Sequence, residues 1–181
     1  MKSLLSILLL AGTIPACAQT GERIPTWTQE PDGFKGVKFG STEAEAKTAT
    51  SIPLRCLSVK SERACMMVVP VGSFNMEVLL QFVADKFTKA VGTFPSDSFS
   101  DVRDIFFEKY GKPHNVTEET LQNGMGAQFH QEHYGWRGKL CLITLSKYGS
   151  SPDEGLFSLS PIDTVDAEEK AREEAKKKAL K

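Results

Sequence analysis

The sequence predicts an α+β domain, with helices packed on an antiparallel β-sheet, and three observations predict it. Phe74, Met76, Val78, Leu80 and Phe82 alternate at period two, the pattern of a strand. Phe99, Val102, Ile105, Phe106 and Tyr110 recur at helical spacing, the stripe of a helix lying on a core. Finally, Val37-Lys38-Phe39-Gly40-Ser41 and Thr93-Phe94-Pro95-Ser96 each lead from a strand through a polar cap into a helix. Antiparallel strands follow both, so the chain reads as two related helix-then-sheet halves, 33–91 and 92–162. A solenoid would need at least three such units.

Met1 and Lys2 lead into an apolar run from Leu4 to Ala11, the layout of an export signal peptide over residues 1–18. The run holds eight residues, about 12 Å as a helix against a hydrocarbon core of roughly 30 Å, so it is no permanent membrane span. No later segment is long and apolar enough to be a transmembrane span either. Two processing routes fit. Ala16-Cys17-Ala18 is a small-x-small site that places cleavage before Gln19 and frees a soluble periplasmic or secreted protein. Ile14-Pro15-Ala16-Cys17 resembles a bacterial lipoprotein box, which would leave Cys17 as a lipidated N-terminus and a lipid anchor.

Residues 19–32 hold Pro25, Pro31 and a lone Trp27 without a sustained period, a lead-in to the domain at 33–162. Thr42 and Glu45 form a capping box that opens a short Ala-rich helix, which must end before Pro53. Residues 54–94 read as sheet. In an oxidising compartment Cys56 and Cys65 are the natural disulfide, since a turn-like Ser58 to Arg63 lies between them. Leu79 and Val83 are apolar on the face opposite Phe74–Phe82, which predicts a central strand covered on both sides. Asp85-Lys86 supplies a turn into Phe87, Lys89 and Val91. The long helix takes Ser98 as N-cap, stops at Gly111 and is barred from continuing by Pro113. A polar loop runs through Asn123 and Gly126, then Gln128–Tyr134 is a strand, Gly135–Lys139 a turn, Leu140–Ser146 a strand and Leu156–Leu159 the last one. Residues 163–181 form a charged helical tail. There Glu168 with Arg172, Glu173 with Lys177 and Glu174 with Lys178 sit at the favourable i, i+4 spacing.

Composition narrows the function. The 181 residues carry 22 Lys plus Arg against 23 Asp plus Glu, a net charge of -1, which lacks the positive field a nucleic-acid binder needs. A 40% hydrophobic content with 11 Phe suffices for a modest core and excludes a disordered chain.

Reactive constellations are not evident. His130-Gln131-Glu132-His133 is the only His-rich cluster, and on a strand positions three apart face opposite sides, so no metal site is expected. Neither a Gly-x-Ser-x-Gly elbow nor a phosphate cradle is present, so no catalytic residue and no cofactor are assigned. Cys141, inside Leu140-Cys141-Leu142-Ile143, reads as a small core hydrophobe. Surface recognition remains. Tyr134, Trp136 and Arg137 cluster at the expected turn, and together with Trp27 they are the residue types that anchor binding patches.

Phe34-Lys35-Gly36-Val37-Lys38-Phe39-Gly40-Ser41-Thr42-Glu43 and Lys109-Tyr110-Gly111-Lys112-Pro113 resemble small bacterial envelope proteins of the SmpA/OmlA (BamE-like) and β-lactamase-inhibitor-like type. The resemblance implies helices on an antiparallel sheet and a place in the cell envelope. The sequence therefore leads to a non-catalytic exported protein that binds another protein or an envelope component. The alternatives are an outer-membrane lipoprotein assisting envelope assembly and a small hydrolase whose site the motifs do not reveal.

Overall fold

The computed structural model describes residues 30–59, 62–122 and 124–179. The expected signal peptide, Cys17 and Trp27 lie outside the described residues. A short hairpin, β1 (Gly33–Phe34) and β2 (Val37–Lys38), precedes helix α1 (Glu43–Ala49). Four strands follow: β3 (Arg55–Val59), β4 (Glu62–Val71), β5 (Phe74–Val83) and β6 (Lys86–Pro95). A 3-10 turn at Ser96–Ser98 opens α2 (Phe99–Tyr110), and four more strands come after it: β7 (Asn115–Gln122), β8 (Gln128–Arg137), β9 (Cys141–Ser146) and β10 (Glu154–Pro161). Helix α3 (Ile162–Ala179) ends the described chain.

The eight long strands make one antiparallel sheet in the order β3-β4-β5-β6-β10-β9-β8-β7. Each four-strand meander contributes its last strand to the centre, where β6 and β10 pair from Glu154 opposite Pro95 to Leu159 opposite Ala90. Since β6 continues to Pro95, a division of the chain at 91/92 would cut through that strand.

This architecture corrects the α+β expectation. Among the described residues strand clearly outweighs helix, with one large eight-stranded antiparallel sheet and three α-helices. The helices contribute little to the interior, because α1 buries only Ala46 and α3 only Val165. Only α2 is a core helix, with Phe99, Val102 and Phe106 buried. A polar segment read as loop is strand β7, and its side chains are exposed throughout.

Nor do the helices share one side of the sheet. Trp136 and Arg137 are consecutive on β8 and so point to opposite faces. Phe106 and Phe107 of α2 pack on Trp136, ring centroids 5.9 Å away in each case. Arg137 instead meets Asp166 of α3 at 2.7 Å. The inner face therefore carries α1, the β1–β2 hairpin and α2, whereas α3 crosses the outer face.

The inner face is the core. Phe39 stacks on Phe87 at 5.4 Å, Phe82 lies 5.8 Å from Phe87, and Phe106 meets Phe157 edge-on at 5.6 Å. Gly92 lets the Phe157 ring lie directly over β6, because a Cβ there would overlap the ring. Local signals hold at several caps and turns. Thr42 Oγ1 accepts from the Glu45 N–H at 3.3 Å while Glu45 Oε2 accepts from the Thr42 N–H at 2.8 Å, the reciprocal capping box. Gly111 has φ 75 and donates its N–H to the Phe107 carbonyl at 2.9 Å, closing α2. Ser98 occupies the N-cap position without a side-chain bond, since the 3-10 turn already shapes the helix entry. The β5–β6 turn is made by Ala84 and Asp85, both at positive φ, so a tight turn forms here without glycine.

Candidate functional site

The residues expected to form a binding patch are dispersed by the fold. Segment 135–137 is strand rather than turn, because β8 runs through to Arg137. Trp136 is fully buried and donates its indole N–H to the Gly111 carbonyl at 2.9 Å, which satisfies its one polar atom. Tyr134 is buried too, with its hydroxyl donating to Glu132 at 2.8 Å. Burial, reinforced by that carboxylate, pushes the hydroxyl pKa up. Arg137 is half-exposed but engaged, meeting Asp166 at 2.7 Å and Glu169 at 3.6 Å. Its work is to dock the first turns of α3. Glu168 likewise turns to Lys89 of β6 at 3.9 Å.

The two strand histidines diverge as their spacing requires. His130 lies 3.5 Å from Glu118, and His133 lies 3.5 Å from Glu119 with its Nδ1 2.8 Å from the Ser146 hydroxyl. Among the described residues, the group of potential metal ligands that comes together is Glu43, Cys56 and Cys65. Both sulfurs there are spent on a disulfide. Cys56 and Cys65 stand directly opposite in the β3–β4 register and are joined across it. Among the described residues Cys141 is the free thiol, fully buried, and burial with the nearby Glu30 carboxylate pushes its pKa up to about 12. A thiol held neutral in this way is a poor nucleophile.

The feature that stands out is the outer face of β3–β5. Helix α3 packs on β9 and β10 and meets Lys89 of β6 through Glu168, which also borders the depression over β3–β5, so the first three strands keep an open outer surface. Register places Arg55, Met66 and Leu79 side by side, with Leu57, Ala64 and Gln81 in the row on one side. On the other side Val68 stands opposite Glu77. Leu57 is 71% exposed, Val83 57%, Val68 47%, and Met66 and Leu79 36% each. Two open depressions of about 420 Å³ each flank Met66 on this surface. The rim is polar and of mixed sign. Arg63 pairs with Glu43 at 3.3 Å, while Glu77 and Glu168 carry negative charge.

Five apolar side chains gathered on one open surface within a polar rim are unusual for a solvated sheet face, where polar residues ordinarily alternate with buried ones. The sequence carried the signal for them. Leu79 and Val83 break the alternation of β5, and that break reads equally as a strand buried on both sides or as a strand with an apolar open face. The structure selects the second for the described residues, and this corrects the expectation that β5 is covered on both sides. Comparison with protein-family models, with curated proteins and with solved structures finds no match to this chain.

Proposed function

We propose that the protein is a non-catalytic binding module, exported from the cytosol, that docks a protein partner on the outer face of β3–β5. The observation that carries this reading is the open apolar patch of Leu57, Met66, Val68, Leu79 and Val83 within its polar rim. Contiguous exposed apolar surface marks an interaction site, since leaving it in water carries a solubility cost with no folding benefit. The patch sits on a sheet whose opposite face is the core, so it is presented rigidly, and a partner need not order it on binding. Export is supported by the Cys56–Cys65 disulfide, which suits an oxidising compartment.

A photo-crosslinking residue placed at Leu79, compared with one at Glu108 on α2, tests the reading. The expected result is one discrete heterologous crosslink from position 79 that Val68→Asp abolishes and that position 108 never gives. Crosslinks equally frequent from both positions, or a crosslink only to a second copy of the chain, would refute it. Mass measurement of the mature N-terminus separates cleavage before Gln19 from lipidation at Cys17.

A further inference from the structure

On the inner face, α2 leans toward β8–β10 through Trp136 and Phe157, while Phe39 and the α1 end of the chain pack over Phe82 and Phe87. Between them a wedge is left at the β4–β5 turn end of the sheet, and only the tip of the β1–β2 hairpin reaches into it. The result is a cavity of about 100 Å³. Its floor is aliphatic and aromatic, including Val69, Met76, Ile143 and Phe157. Its exposed lining residues, Lys35, Ile105 and Lys109, mark the mouth. Thirteen residues line it, and they include two lysines and no acid.

The lysines come from separate elements. Lys35 sits at the hairpin tip with φ 49, a left-handed conformation in which Gly, Asn or Asp would be more usual. Lys109 lies one turn beyond Ile105 on α2, with its ammonium 5.1 Å from the Tyr110 ring centroid. Neither makes an ion pair among the described residues.

From this apolar cavity with two ammoniums at its mouth that have no ion-pair partner among the described residues, we infer that the protein binds a free aliphatic monocarboxylate, tail inward and carboxylate between Lys35 and Lys109. The site is separate from the outer-face patch, and its occupancy does not depend on any partner there. At roughly 30 Å³ per group of water or methylene size, the cavity takes on the order of three or four carbons, with the next few in the open mouth. The ligand is therefore of medium chain, about six to eight carbons. Each methylene added up to that length buries into an apolar environment and tightens Kd about fourfold, and longer chains gain nothing further.

The test is a titration of the full chain with butanoate, hexanoate, octanoate and dodecanoate, and with octylamine and 1-octanol as charge controls. Binding is read by calorimetry and by the methyl resonances of Met76, Ile105 and Ile143, with Met125 as a remote reference. Expected are saturable binding that strengthens from butanoate to octanoate and then levels off, shifts confined to the three lining methyls, and no binding of octylamine. Lys35→Ala with Lys109→Ala, a pair of surface changes that keep the fold by circular dichroism, weakens octanoate at least tenfold while leaving 1-octanol unchanged. The inference is overturned by absence of saturation at millimolar octanoate, by equal affinity for octylamine, by an unaltered Kd in the double variant, or by binding to phosphatidylglycerol vesicles without binding of any free carboxylate.

Discussion

Leu79 and Leu80 are neighbours on β5 that face opposite ways, so truncating each to alanine asks whether the outer face is open. Leu80 is fully buried, whereas Leu79 keeps 36% of its surface in water. Leu80→Ala leaves a void in the packed inner face and costs about 3 kcal/mol, within the range for leucine-to-alanine changes in cores. At Leu79 no enclosed void forms, because its row neighbours Met66 and Val91 stand on the same open surface. Only a fraction of the transfer free energy is lost, about 1 kcal/mol. Urea unfolding followed by far-UV circular dichroism reads both, and with unchanged slope the midpoint shift for Leu80→Ala should be about three times that for Leu79→Ala. Leu79→Asp widens the contrast. On an open face the carboxylate stays solvated and adds no more than about 1 kcal/mol to the alanine cost, whereas beneath a covering element an unpaired charge adds several times that. If Leu79→Ala is as damaging as Leu80→Ala, the outer face is covered in the isolated protein and the argument for a docking surface fails.

Three further outcomes follow from the geometry. Glu30 accepts the backbone N–H groups of Lys139, Leu140 and Cys141 at 3.1, 2.5 and 2.8 Å, so Glu30→Ala should cost about 2 kcal/mol by thermal unfolding, mostly from the stranded Cys141 N–H. Gly138→Ala should cost a similar amount, because a Cβ there would collide with the same carboxylate, and the pair combined should cost less than the sum. Replacing both Cys56 and Cys65 by serine frees a loop spanning nine positions and should lower stability by about 2 to 3 kcal/mol on the chain-entropy account, measured against the oxidised protein. Finally, burial pushes the Cys141 thiol from 9.0 and the Tyr110 hydroxyl from 10.0, each up to about 12. The unfolded chain loses these protons first, so stability holds below about pH 9 and falls above it, by roughly 1.4 kcal/mol per pH unit from Cys141 alone. Cys141→Ala should flatten the profile between about pH 9 and 10; an unaltered slope there would show that the thiol is not the group responsible.

The elements legible in the sequence are those whose signal is local. The stripe of α2, the Thr42–Glu45 box and the glycine stop at 111 are set by residues within four positions of one another, and the structure has each. Strand β7 gave no such signal. It is exposed on both sides, so no face of it demands apolar residues, and it is held as strand only by pairing with β8 from Asn115 opposite Gly135 to Gln122 opposite Gln128. Glu30 was equally hidden, since its partners are 109 to 111 positions away and a lone acid in an irregular lead-in announces nothing. The aromatic residues Tyr134 and Trp136 look the same in sequence whether they fill a core or anchor an interface. What decides is strand parity, which puts Tyr134 and Trp136 inward and Arg137 outward once β8 is known to continue past Gly135.

The position of the disulfide bears on the proposed docking face. Strand β3 has five residues and a neighbour on one side only, so on backbone pairing alone it would fray, and Leu57, the most exposed member of the patch, would lose its place. Cys56 and Cys65 clamp this strand to β4 at its middle, and Cys65 is fully buried on the inner face. By alternation Arg55 and Leu57 then point outward, so the covalent link lies beneath the patch and leaves its surface unobstructed. A clamp whose sole task were stability would serve as well on either face of either edge. Placed here, it fixes the edge strand that contributes to the patch, while the opposite edge, β7, carries no link and no part of the patch. Reduction should therefore weaken partner capture through position 57 more than through position 79, because Leu79 sits on β5, held by strands on both sides. Equal losses at the two positions would mean that the disulfide supports the fold as a whole and not the surface in particular.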